Sequence, residues 1–85
     1  MSEHDATPGY LSELLRLQFE AGVESGRSLA QFTVARELEV GAMLSPEAAP
    51  VLRVMAKTYR RDALAAYDRG LALNDQAFAL NKVAR

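Results

Sequence analysis

The chain has 85 residues, a formal net charge of −1 from ten basic and eleven acidic residues, and an apolar fraction of 49%. That composition suits one folded domain, is too apolar for a disordered chain and creates no global field for nucleic acid or anionic lipid. Cysteine is absent, which excludes disulfides and thiolate metal sites and accords with a reducing compartment. The opening MSEHDATPG lacks the basic and apolar regions of a secretory signal, and no apolar run approaches the ~18 residues of a membrane span. The expectation is a cytoplasmic protein of bacterial type that makes no membrane contact.

Residues 1–7 read as a flexible tail and residues 8–85 as a single helical domain. Thr7 is a cap residue and Pro8 fits the first helical position, where a missing N–H costs nothing. These signals predict a first helix over 8–25, with Gly26 as its stop. At ~100° per residue, Tyr10, Leu11, Leu14, Leu15, Leu17, Ala21 and Gly22 gather on one broad side, and Glu13, Glu20 and Glu24 on the other. Gln18 lands within the apolar side. There it must find a hydrogen-bond partner or stay wet, and at a helix interface a lone polar residue of this kind fixes register and partner number.

A second helix is expected over 28–44. Ser28-Leu29-Ala30-Gln31 has the S-x-x-Q spacing of a capping box. The apolar residues that follow (Phe32, Val34, Leu38, Val40, Met43, Leu44) spread around most of the circumference, as in a helix touched from several directions. Ser45-Pro46-Glu47 is another start signal, and Pro50 must lie in a first turn, because an interior Pro costs ~3 kcal/mol. From Val51 onward no Pro occurs, and a third helix is predicted over 50–83.

Alternate steps of four and three from Leu52 give Ala56, Tyr59, Ala63, Ala66, Gly70, Leu73, Ala77, Leu80 and Ala84, all apolar or Gly. A repeat of this kind drives helices to pack side by side. One of its two rows (Ala56, Ala63, Gly70, Ala77, Ala84) holds only small residues, so a neighbouring backbone can come close. Arg61, Asp68, Asp75 and Lys82 recur every seventh residue on the opposite, solvent-facing side. A second apolar surface, Leu64, Leu71 and Phe78 with Tyr67 beside them, lies about a quarter turn from the first. The long helix therefore has two contacts to fill, and the first two helices can cover only one of them.

Leu52-x2-Met55-Ala56-x2-Tyr59 and Ala63-x3-Tyr67 resemble parts of a tetratricopeptide repeat over fewer than 30 residues. Tyr59 and Ala63 leave no room for the turn such a repeat needs, so one continuous helix is the favoured parse. Residues 33–40 resemble the opening half of a helix-turn-helix, which implies a DNA-binding regulator reading through Arg53 and Lys57. Pro46 and Pro50 fall where its recognition helix belongs, and Glu37 and Glu39 would sit near phosphates.

Catalytic chemistry has little to work with: the one His is His4, in the tail, and no phosphate-cradling loop occurs. No cofactor or metal is expected, since Glu20 and Glu24 point outward in this reading. Arg53, Lys57, Arg60 and Arg61 form a basic patch that is either an ordinary charged surface or a contact for phosphates, an acidic protein or the Glu13, Glu20, Glu24 row of a second copy. The sequence thus predicts an all-α bundle of two shorter helices and one long C-terminal helix, completed by dimerisation or a partner helix. Its expected function is a non-enzymatic protein–protein interaction module, with a DNA-binding regulator as the alternative. The expected contacts are Leu52, Ala56, Tyr59, Ala63, Gly70 and Gln18, with the basic patch at their margin.

Overall fold

The computed structural model describes the backbone of residues 2–83 and the side chains of residues 9–83. Two α-helices, α1 (Ser2–Leu44, 43 residues) and α2 (Ala49–Val83, 35 residues), form an antiparallel hairpin with extents of 69 × 14 × 13 Å. α2 starts one residue before the helix expected over 50–83 and is the shorter of the two. The two shorter helices do not exist as separate elements, because α1 runs straight through Gly26. It also starts at Ser2, inside the stretch expected as a tail. Thr7 and Pro8 therefore fall inside α1 and do not mark its start, while the His4 side chain and Ala84 lie outside the described residues.

The reason for the merger lies in the buried row of α1. Tyr10, Leu14, Leu17, Ala21, Glu24, Ser28, Gln31, Ala35, Leu38 and Ala42 follow the same four-three spacing as the seam of α2, and each is buried or half-buried. The row crosses Gly26 without slipping. A Gly in an exposed helix interior costs only about 1 kcal/mol, which continuous packing against α2 outweighs. Ser28 is correspondingly a buried seam residue, 4% exposed, and caps no helix. Glu24, expected on the outer face, is also in the seam.

The α2 seam packs as the spacing predicts, with Ala49, Ala56, Ala63, Ala66, Gly70 and Ala77 buried. Its partner is α1 of the same chain. An added Cβ on Gly70 would meet Ala21 O and Glu24 Cβ at 3.6 Å, and one on Gly41 would meet Leu52 Cδ1 at 3.4 Å. Ala21, Ser28, Ala35 and Ala42 of α1 thus interleave with the small row of α2, and the interhelical distance is set by methyl groups. Leu17 is the single buried large apolar side chain among the described residues; the other buried apolar residues are alanines.

The reversal takes residues 45–48. Ser45 N–H donates to Gly41 O (2.9 Å), Ala48 N–H to Ser45 O (3.1 Å) and Leu52 N–H to Ala48 O (3.0 Å), which closes the end of one helix onto the start of the next. Pro50 falls in the first turn of α2, where its missing donor is harmless. At the open end the Tyr10 hydroxyl donates to Asn81 Oδ1 (2.6 Å). Residues 33–40 lie within α1, and the helices run antiparallel, so the crossing of a helix-turn-helix is absent.

Two glycine substitutions test this packing in opposite directions. Gly26 has nothing within 4 Å of an added Cβ, so Gly26→Ala should raise stability by about 0.8–1 kcal/mol in urea unfolding. Gly70→Leu should lower it by about 1–3 kcal/mol, because the side chain forces α1 and α2 apart. Destabilisation by Gly26→Ala would instead indicate that the helix breaks there.

Candidate partner-binding face

The hairpin has two sides of unlike chemistry. One carries ion pairs. Arg16 bridges Glu13 and Glu20 (2.6 Å to Glu20), and Glu24 is held by Arg27 (2.9 Å) and by Arg69 from α2. The acidic row expected to meet a second copy is therefore answered within the chain. The Glu24 side chain is only 11% exposed, so its two guanidiniums replace the hydration it loses on entering the seam. Arg69 belongs to none of the sequence patterns of α2. The signal for it lies in pairing across the hairpin, which no spacing within one helix contains. A recess of about 500 Å³ opens on this side over the Glu24–Arg69 pair, between Phe19, Val23 and Leu73.

The other side is apolar. From α1 it takes Leu11, Leu15, Gln18, Gly22, Ser25, Leu29 and Phe32, and from α2 Leu64, Tyr67, Leu71, Asn74, Phe78 and Asn81. None of these carries a charge. Two recesses show that both helices build one surface: Leu14, Gln18, Asn74, Ala77, Phe78 and Asn81 line one, and Ala21, Ser25, Tyr67, Gly70, Leu71 and Asn74 the next. Leu29 and Leu64 extend it by one seven-residue step on each helix. Leu15, Leu29 and Phe78 are 64%, 69% and 70% exposed. This is the second apolar surface that the spacing of α2 predicts, now with its half from α1.

The expected contact residues divide between the two surfaces. Leu52, Ala56, Tyr59, Ala63 and Gly70 lie in the intrachain seam, with Ala56 and Ala63 2% and 0% exposed. They are not an unfilled seam, because α1 of the same chain fills it. Gln18 is exposed on the apolar face, beside Asn74 and Asn81.

Toward the turn the face becomes charged. Arg60 donates to both carboxylate oxygens of Glu39, at 2.8 and 2.5 Å, while Arg53 and Lys57 line a recess with Glu39 and Val54. The basic patch therefore surrounds a carboxylate from α1. Arg61 points away from it and lies 3.7 Å from Asp62. The hydrogen bonds from Arg60 hold the Glu39 carboxyl below its ordinary value of 4.5, and Glu39 in turn raises the Arg60 guanidinium. Among the described residues, no group of His, Asp and Glu is placed to hold a metal ion, and no helix is long and apolar enough to cross a membrane.

A carboxyl whose folded pKa is lowered stabilises the fold above its unfolded value, and that stabilisation is lost as pH falls through the folded value. The thermal midpoint of the wild type should therefore exceed that of Arg60→Gln at pH 6. The gap should close on acidification below 4.5, and added salt should narrow it at any pH. A gap that persists in acid would show that Arg60 acts through packing instead of charge.

No protein-family model matches the chain, and no curated protein or solved structure matches it.

Proposed function

We propose that the chain is a small non-enzymatic protein–protein interaction module, of the adaptor, chaperone or inhibitor-like regulator class, which binds a helical partner on its charge-free apolar face. The observation that carries this reading is the contrast between core and surface. Among the described residues one large apolar side chain, Leu17, is buried, whereas seven lie exposed together on this face: Leu11, Leu15, Leu29, Leu64, Tyr67, Leu71 and Phe78. Monomeric proteins rarely leave an apolar patch of this extent uncovered, and such patches mark interaction sites.

The shape of the face suits a helix. It runs for ~32 Å on α1 at 1.5 Å per residue, with a furrow along the seam between rows of Leu and aromatic side chains. An amphipathic helix laid in such a furrow anchors through residues spaced three and four apart. Tyr67 and Phe78 supply the rigid aromatic area that dominates binding energy at interfaces. Gln18, Asn74 and Asn81 set the register, since a polar group covered by a partner must find its complement.

Nucleic-acid binding is the weaker reading. The cations on which it depends surround Glu39, one of them is committed to it, and no recognition helix stands out from the hairpin. A low-salt gel shift with duplex DNA is expected to show no complex that Arg53→Gln/Lys57→Gln abolishes.

Site-specific photo-crosslinking in producing cells tests the main reading. A crosslinker at Leu64 or Leu71 should give discrete protein adducts, identified by mass spectrometry, whereas one at Ala65 or Ala72 on the charged side should give few. Equal yields from both sides, or none from the apolar side, would overturn the assignment.

A further inference from the structure

We infer that the occupant of the charge-free face is a second copy of this chain, docked face to face with its turn at the opposite end, so that a two-fold axis passes through the level of Gly22 and Leu71. This rests on the reading of that face as a binding surface and adds what binds there.

The first support is self-complementarity. In a two-fold interface the same patch meets itself, so residues equidistant from the axis must be compatible with each other. Gly22 and Leu71 lie at one level of the hairpin, because Gly70 sits among Ala21, Glu24 and Ser25, and Arg69 reaches Glu24. Outward from that level the chemistry repeats in both directions. On α1, Leu15 and Leu29 stand seven residues to either side of Gly22, with Gln18 and Ser25 inside them. On α2, Leu64 and Phe78 stand seven residues to either side of Leu71, with Tyr67 and Asn74 inside them. Rotation about the axis sets Leu15 on Leu29 and Leu64 on Phe78 of the second copy, and brings Gln18 beside Ser25 and Tyr67 beside Asn74, offset by one residue. Apolar groups meet apolar groups, and hydrogen-bonding groups meet hydrogen-bonding groups.

Charge supports the antiparallel arrangement. The turn end of the face carries Arg36, Arg53, Lys57 and Arg60 against Glu39. With turns at opposite ends, these cationic ends lie about 20 Å to either side of the axis and stay apart from each other. With turns at the same end, Arg36 of one copy would face Lys57 of the other, a like-charge contact that disfavours docking.

Surface area supplies the third support. The chain exposes 6302 Å², against about 5000 Å² for a compact 9.3 kDa protein. The excess is larger than the roughly 800 Å² that each partner buries in a standard interface. The product is a four-helix bundle in which the large side chains of the charge-free face form the central core.

Sedimentation equilibrium of the full chain at tens of micromolar should give twice the 9.3 kDa monomer mass. The chain has no cysteine, so Gly22→Cys carries a single thiol, at a site where an added Cβ meets nothing within 4 Å. Under mild oxidation it should form a disulfide-linked dimer at least roughly tenfold faster than Arg36→Cys, because only a residue near the axis meets its own counterpart at high effective concentration. Leu71→Cys is the parallel test on α2 should Gly22→Cys lose helix content by circular dichroism. A dimer in which neither axial variant crosslinks faster than Arg36→Cys overturns the arrangement. A monomeric mass overturns the second copy as occupant. In that case, adducts to a different polypeptide from Leu64 and Leu71 would leave the interaction reading standing, and the absence of such adducts would remove both.

Discussion

The close approach of α1 and α2 along their small-residue rows is the constraint on which the rest of the molecule depends. Ala63 and Ala66 are fully covered, and Gly70 lies against the backbone and Cβ atoms of α1. Methyl groups at the contact let backbones pack closely, with little side-chain entropy lost on folding. Such a seam gains mainly from dispersion and backbone proximity, since an Ala side chain removes little apolar area from water.

That economy has a structural consequence. The fully covered positions of the seam are mostly Ala or Gly, so Leu14, Leu38, Leu52, Tyr59 and Leu73 are only half-buried at its edges, and Leu15, Leu29, Leu64, Leu71 and Phe78 lie out on the flank. Leu15, Leu29, Leu64, Leu71 and Phe78 are long enough to form a core, and they face away from the only partner the chain itself provides. The radius of gyration, 19.2 Å against about 12 Å for a compact chain of this length, expresses the same fact. The hairpin holds its shape along one line of contact, and its hydrophobic driving force is largely unspent. Helix and face are therefore linked: whatever covers the flank also reinforces the seam.

The charged residues sort the two sides. Glu24 is tied to both helices through Arg27 and Arg69, and Glu13 and Glu20 are paired with Arg16, so the charges of one flank answer one another in two clusters, with Phe19 and Val23 exposed between them. A surface already satisfied internally gains little from a new partner, because binding would have to desolvate paired charges. The uncharged flank has no such penalty. Glu39 and Arg60 close its turn end, and there the apolar surface stops.

Much of this was legible in the sequence. The four-three spacing of α2 marked its buried row residue by residue, since the row is uniformly apolar, and a quarter turn away it marked the Leu64, Leu71, Phe78 surface. Gly26 and Ser28 misled, because stop and cap signals describe a helix in isolation, whereas here packing against α2 carries the helix across them. Glu24, Ser28 and Gln31 hid the matching row of α1, since polar residues in a seam break the pattern from which it would be recognised. Local periodicity determined that the chain is helical and that α2 has two apolar faces. Only the tertiary structure decided which face the chain covers for itself, because that depends on how closely two particular helices can approach.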